Sequence, residues 1–582
     1  MKLRKLFFSL LPLLLISSCY GEPISTISSR YRVMVLENSG IEIIGDTQKI
    51  CDYGDSLSFS VSLVEGYEIT DISYGYYDYE NSLLIVEDVS SQLSITISTS
   101  LINSSYTIDY YLNGATSFNN STEKIIHRYY DPSIRLRPNT LRYDEVSPLE
   151  GKTLIGWNTK ADFTGEDIGL GSRVTINSER SLSLYAKFET WSDSSAFSYE
   201  EKNNGISITG YHGQEEKIVI PDTINEKKVL EIAKGAFADL DFIDTVIINP
   251  SMEAIRGQGF RNVSLETLCF FDNLKTVSDE SFTDCQNLKY VHVNAQVAPK
   301  YTKEWTNSFA DKFDRVFLAR EKKQMVFFGG SSMPYGLSSL MVDKEFALQY
   351  VVTDLWLSYL INPGMQFEIL DSWLSDGDIL VHAPEDMTEK VSWNEFSDLT
   401  WRVLEFNYDL VSKVDISRHT SIFTSFNGYN GNRRQLKATS YNEKSRTYNE
   451  YGDLSTFRPN TDNTDKGYDI VYSATQLKDS VLSSLDSIYD GFVSKGITVY
   501  FSYGPANLDG NKIPTADVRA LYDLKVRKFI TSCPIISQLE DYLFRGKYFS
   551  NTNYHMTSQG AELRTNQLIK DLKAQMKTDG II

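Results

Sequence analysis

The chain has 582 residues with 77 acidic and 57 basic side chains, a net charge of −20. That balance argues against a general nucleic-acid binder, which needs cations to neutralise phosphates, and it suits a solvated surface protein. Roughly three to five domains are expected at this length, and 36 Tyr within a 13% aromatic content fit β-rich extracellular modules.

The first residues read MKLRKLFFSLLPLLLISSCYGE. Lys2, Arg4 and Lys5 form a basic start, and Leu6 to Ile16 form an apolar stretch too short to span a bilayer comfortably. Small Ser17 and Ser18 precede Cys19. The arrangement resembles the bacterial lipobox, which implies a signal peptide over 1–18 and lipid on Cys19 as the new N-terminus. An ordinary secretory signal with an incidental cysteine is the alternative. The lipobox reading puts the chain outside the cytoplasm, at the cell membrane or cell surface, anchored rather than spanning. The other cysteines, Cys51, Cys269, Cys285 and Cys533, are spaced as neither a disulfide framework nor a zinc site, and read as small core residues.

Residues 31–101 alternate apolar and polar in short runs, YRVMVLE, SLSFSVSL and LSITISTS, separated by Gly and Asp turns. Period two with turns predicts a small antiparallel sheet domain, and YGDSLSFSVSLVEGYEITDISYG resembles the β-sandwich repeats of bacterial surface proteins. Residues 105–189 hold an LNG turn (Leu112, Asn113, Gly114), a GW pair (Gly156, Trp157) and a closing LYAKF, Leu184 to Phe188. These landmarks resemble the internalin B-repeat, a compact β-grasp-like spacer, with Ala115 where that family usually has a second glycine.

An internal repeat follows over 195–318. Phe237, Phe260 and Phe282 recur at spacings of 23 and 22, each with an aliphatic residue five positions earlier: Ile232, Ile255 and Val277. Short strands at KIVIP, TVIINP, TLCFF and YVHVN predict a solenoid of about three coils with one strand per repeat. The pattern resembles the BspA-type leucine-rich repeat, and Cys285 falls where that family often has an inward cysteine. So few coils sit near the minimum for stability, so flanking domains are expected to cap them.

From 322 to 582 the pattern becomes α/β. QMVFF reads as a buried strand followed by GGSSMPYG, then a long amphipathic run, VDKEFALQYVVTDLWLSYL. DILVHAP and ITVYFSYGP are further strands. Leu477, Val481, Leu485, Ile488 and Phe492 sit at helical spacing and end at Gly496, and SQGAELRTNQLIKDLK closes the chain as a helix. Alternating strands and helices predict a doubly wound parallel sheet, with the working crevice at the carboxyl ends of its strands.

The blocks GGSSMPYGLSS, LSDGDILVHAPE, RTYNEYGDL and FSNTNYHMTSQGAELRT resemble an SGNH/GDSL-type hydrolase of the branch whose first block reads GGSN. The resemblance implies Ser331 as nucleophile and His555 as its base. A serine hydroxyl needs such a base, and a nucleophile on a tight turn offers its own N–H to an oxyanion, a turn that Gly329 and Gly330 permit. The plainer alternatives are a helix-capping Ser331, with Ser332 next to it if the register differs, and a surface His555. The family's Asp before the histidine is missing: Asn551 occupies the substituted position, and Asp541 is an upstream alternative. An asparagine orients an imidazole without stabilising its charge. VVTDLWLS stands where a second-block oxyanion glycine is expected, which leaves Gly330 and Asn449 as candidate oxyanion groups and Asn507 as a weaker one. Glu385 in HAPED matches a conspicuous position of this branch, and a structural role is the favoured reading of it. No cofactor is expected. No His/Cys/carboxylate cluster has ligand-like spacing, so no metal is expected either, and GGSS lacks the Lys of a P-loop.

Two functions follow from these readings. One is a surface-displayed esterase or O-deacylase acting on acylated polysaccharide or cell-envelope polymer. The other is a non-catalytic adhesion protein whose repeats bind a host or cell-surface ligand, with a degenerate hydrolase-like domain.

Overall fold

A computed structural model describes residues 30–582 except 37–39, 65–66, 80, 102–105, 118–123, 130–138, 148, 175–180, 203, 279, 301–321, 356–362, 386–396, 406–407, 417–420, 436–450, 455–457, 459–469, 471 and 511–512. Cys19 and Asn449 lie outside the described residues. Among the described residues no helix is long and apolar enough to cross a membrane. The chain divides into two compact units, Met1–Ser100 and Leu101–Ile582.

The first unit is a sandwich of two four-stranded sheets. Alternation sets the inner faces: Val33, Val35, Ile95 and Ile97 of one sheet pack against Phe59, Val61, Leu84 and Val86 of the other. The expected all-antiparallel pairing is not what forms. Arg30–Leu36 and Leu93–Leu101, the first and last strands, run parallel, and the strands between them are divided between the two sheets.

The second unit begins with a mixed five-stranded sheet in which Tyr106–Tyr111 and Ser181–Thr190 are parallel central neighbours. The GW pair has a clear physical role. The strand Lys152–Asn158 bulges between Leu154 and Gly156, and a Cβ on Gly156 would sit 2.6 Å from the Ile168 carbonyl oxygen. Trp157 is fully buried, donates its indole N–H to the Leu141 carbonyl at 3.1 Å and meets Tyr110 edge-on at 4.8 Å.

The repeats then coil. Phe237 stacks on Phe260 at 4.9 Å and Phe260 on Phe282 at 5.4 Å, with the last two rings 2° from parallel. Each coil contributes two short strands rather than the expected one. One ladder, all parallel, runs through Lys217–Val219, Thr245–Ile247, Thr267–Phe271 and Tyr290–Asn294. The other runs in parallel through Gly205–Tyr211, Lys227–Ile232, Ala254–Ile255 and Thr276–Val277. The aliphatic residues ahead of each Phe belong to this second ladder, whose strands are only two residues long in the later coils and leave little mark on the sequence.

The far end of the solenoid is closed by a helix from the C-terminal region, Ile422–Gln435. Phe423 continues the aromatic stack, 4.4 Å from Phe282. Asn427 accepts from the Val277 N–H at 2.7 Å and donates to the Val277 carbonyl at 2.5 Å, so its amide stands in for the next strand. Asn430 donates to the carbonyls of Asp272 and Leu274. Arg433 lies between the carboxylates of Asp272 (2.9 Å) and Glu405 (2.5 Å), all three side chains at most 4% exposed.

The C-terminal region holds a four-stranded parallel sheet ordered Tyr350–Asp354, Lys323–Gly329, Ile379–Ala383, Thr498–Phe501. The strand interiors are buried, as a sheet covered on both faces requires. Ser558–Thr578 packs against Ser332–Gly336 and Ser339–Phe346, while Asp479–Ser494 packs against Thr498–Phe501 and Ala516–Phe529. The amphipathic run from Val342 is not one element. The helix Ser339–Phe346 stops, Leu348 stands 98% exposed at the turn, and Tyr350–Asp354 is a strand. Consecutive Val351, Val352 and Thr353 favour extended backbone, and the neighbouring strand offers them a ladder.

Candidate active site

The chain leaves Lys323–Gly329 and pairs its next strand on one side and the following one on the other. That reversal is a topological switch point, where the loops diverge and a crevice opens at the carboxyl ends. Ser331 follows the first of these strands and Glu385 follows Ile379–Ala383, so the sheet register sets them side by side.

Ser331 heads the short helix Ser332–Gly336 and is partly exposed. Its Oγ lies 2.8 Å from His555 Nε2 and 3.1 and 3.2 Å from the two carboxylate oxygens of Glu385. Ser332 is fully buried, with its hydroxyl unpartnered among the described residues, so Ser331 rather than Ser332 meets His555 and Glu385. Gly330 makes room for the carboxylate, since a Cβ there would meet Glu385 Oε2 at 2.6 Å.

His555 comes from the loop before the last helix and is fixed on three sides. Its Nδ1 meets Asn551 Oδ1 at 3.1 Å, its backbone N–H donates to Thr552 Oγ1 at 2.9 Å, and its carbonyl accepts from the Ser550 N–H at 2.8 Å. Tyr335 stacks flat on the imidazole, centroids 3.9 Å apart and planes 7° apart. Asn507 is buried and clamps the same loop, its N–H to the Asn553 carbonyl and its side-chain amide to Asn553 Oδ1; it holds the loop rather than facing Ser331. Asp541 lies exposed on the turn Leu539–Tyr542, where its charge adds to that of Asp571. His555 Nδ1 meets Asn551 instead.

Beneath the Ser331 turn, fully buried Arg564 donates to the Ser332 carbonyl at 3.2 Å and touches Met333 Sδ. Burial pulls its pKa down, against the carboxylates of Asp354 and Glu385 that hold it up. Sequence reasoning missed Arg564 and Tyr335. Tyr335 carried a readable signal, because four residues beyond Ser331 is one helical turn. Arg564 carried none, because its partner lies 232 residues away.

Other titratable groups serve packing. His382, buried in the central strand, is held neutral by desolvation, its pKa lowered to about 3. Burial raises the thiols of Cys269 and Cys533 to about 12, and all four described cysteines are free. An exposed Ser198–His212 contact links the strand Phe197–Lys202 to the residue just after its antiparallel partner Gly205–Tyr211, away from any strand-to-helix turn. A Ser–His hydrogen bond alone is therefore no mark of a site. Among the described residues no group of His, Cys and carboxylates could hold a metal ion.

No curated protein matches the chain. Among solved structures, the crystal structure of the T. pallidum leucine rich repeat protein is similar over 18% of this chain and 71% of its own, at 18% identity and a TM-score of 0.13. The family model for the BspA type leucine rich repeat region matches residues 211–308 in six copies. The Phe-stacked coil next to the α/β region is thus a BspA-type leucine-rich-repeat region.

Proposed function

We propose that the α/β region is an SGNH-type serine ester hydrolase that removes acyl groups from carbohydrate or cell-envelope polymer. The observation that carries this is the 2.8 Å contact between Ser331 Oγ and His555 Nε2 at the switch point of the sheet. Ser331 attacks the acyl carbonyl, the alcohol leaves, and water hydrolyses the acyl-enzyme. Asn551 orients the imidazole through Nδ1, and the backbone N–H groups of Gly330 and Ser331 are the proposed oxyanion donors. The test is hydrolysis of aryl acetates and of O-acetylated polysaccharide by the full chain and by Ser331→Ala. Equal rates in the two proteins would refute the reading.

A second role is favoured by the BspA-type repeats, whose stacked coils present a continuous surface suited to binding. Adhesion to a host or cell-surface ligand would survive Ser331→Ala unchanged, so a binding defect in that variant would argue against an independent role. The lipid anchor rests on the residues around Cys19. Cys19→Ser should release the protein from membranes of an expressing bacterium, and retention of that variant would sink the proposal.

A further inference from the structure

Ser331 carries one hydroxyl proton, yet its oxygen faces acceptors on two sides. An ionised carboxylate can only accept, and both oxygens of Glu385 lie within hydrogen-bond distance of Oγ. When the hydroxyl donates to Glu385, the contact to His555 at 2.8 Å must run the other way, from Nε2–H to Oγ. Asn551 places its amide oxygen at Nδ1, which donates to it, so Nδ1 carries a proton as well. A ring that donates from both nitrogens is an imidazolium, the form that can give up Nε2–H and remain a neutral imidazole. In that state Nε2 has no lone pair to take the serine proton.

We infer that Glu385, rather than His555, is the base that deprotonates Ser331, and that His555 is the acid that protonates the leaving alcohol. The inference rests on the serine-hydrolase reading and supplies the carboxylate that is missing beside His555. The protons balance. In acylation the Ser331 proton passes to Glu385, Oγ bonds to the acyl carbon, the C–O bond to the alcohol breaks, and Nε2–H protonates the departing oxygen. In deacylation water attacks the acyl carbon and gives a proton to Nε2. The acyl–Oγ bond then breaks, and Oγ recovers its proton from the Glu385 carboxyl group. The carboxylate and the imidazolium end as they began.

The surroundings of Glu385 fit this assignment. Gly330 is the residue that lets the carboxylate reach Oγ, since any Cβ would occupy its place. Buried Arg564 lies within electrostatic reach of Glu385 and favours its charged form. Tyr335 stacked on the imidazole holds Nε2 on Oγ while the hydroxyl turns toward the carboxylate.

The deciding experiment reads protons directly. The full chain with ring-15N-labelled histidine, and His555 assigned by its loss in His555→Gln, reports whether Nε2 bears a proton between pH 6 and 8. The expected result is a protonated Nε2 in the wild type. In Glu385→Leu the hydroxyl has Nε2 as its remaining acceptor, and the signal should move to the unprotonated type. An unprotonated Nε2 in the wild type over that range would overturn the assignment and leave the hydrolase reading standing. Kinetics separate the two further. With a Ser331-dependent aryl esterase activity in hand, Glu385→Gln, which keeps the shape, should lower kcat by about 10²–10⁴-fold with KM little changed. Asn551→Asp in that background should restore part of the rate by making His555 a base. A Glu385→Gln enzyme within twofold of wild type would refute the role of Glu385. An activity untouched by Ser331→Ala would instead refute the hydrolase itself.

Discussion

Replacing Arg433 with Met should open the joint between the repeats and their capping helix. Its guanidinium is the cation between two buried carboxylates, Asp272 at 2.9 Å and Glu405 at 2.5 Å, with exposures of 4%, 1% and 1%. Burial raises the Asp272 carboxyl to about 6 even with Arg433 beside it, and the nearby Glu405 pushes the same way. Removing one member of a buried ionic cluster costs about 3–5 kcal/mol, because the remaining charges stay desolvated. Part of that cost is relieved by protonation of Asp272, at up to about 1.4 kcal/mol per pH unit. The penalty should therefore be largest at pH 7.5 and smaller at pH 5.5. Urea unfolding followed by tryptophan fluorescence measures it, since Trp401 is fully buried among Phe426 and Tyr429 of the capping helix. The wild type has its own pH signature. The folded pKa of Asp272 lies above the unfolded value of about 3.9, so the folded state holds an extra proton between about pH 4 and 6. That stabilisation is full below about pH 4 and is lost as the pH rises through about 6. Asp272→Asn should flatten this part of the profile. A penalty for Arg433→Met below about 1 kcal/mol at pH 7.5, or one that ignores pH, would refute the reasoning.

Asn427→Ala removes both hydrogen bonds to the backbone of Val277 and should cost about 1–3 kcal/mol, seen as faster amide exchange at Val277 and in the last coil. Unchanged protection there would mean that the helix does not act as a mock strand. Gly330→Ala should abolish most of the Ser331-dependent esterase rate by displacing Glu385, with an unfolding midpoint close to that of wild type. Full activity in that variant would show that the carboxylate does not need its place beside Oγ.

Much of the architecture was legible in local pattern. Alternation in YRVMVLE and LSITISTS marks the sandwich faces because side chains of a strand point to opposite sides at every second residue. The recurrence of Phe237, Phe260 and Phe282 marks the coil because one residue per turn must fill the same internal position. The junctions that carry Ser331 and His555 were legible for a similar reason: a strand-to-helix or loop-to-helix junction leaves its signature in a few consecutive residues. The breaks came where long-range pairing overrode local preference. The run from Val342 became helix and then strand because a neighbouring edge was available, and the first sandwich strand found a parallel partner from the end of its own module.

The sequence by itself thus determined an acidic chain of β modules, a repeat coil and an α/β region with a serine on a glycine turn. What surrounds that serine was decided by the tertiary structure. Glu385 reaches Oγ because strand order at the switch point sets residues 54 apart in the chain beside each other. His555 arrives from 224 residues away. Asn427 caps a coil 150 residues behind it. A hydrogen bond depends on position in space within a few tenths of an ångström, and at such separations only packing of the whole unit supplies it.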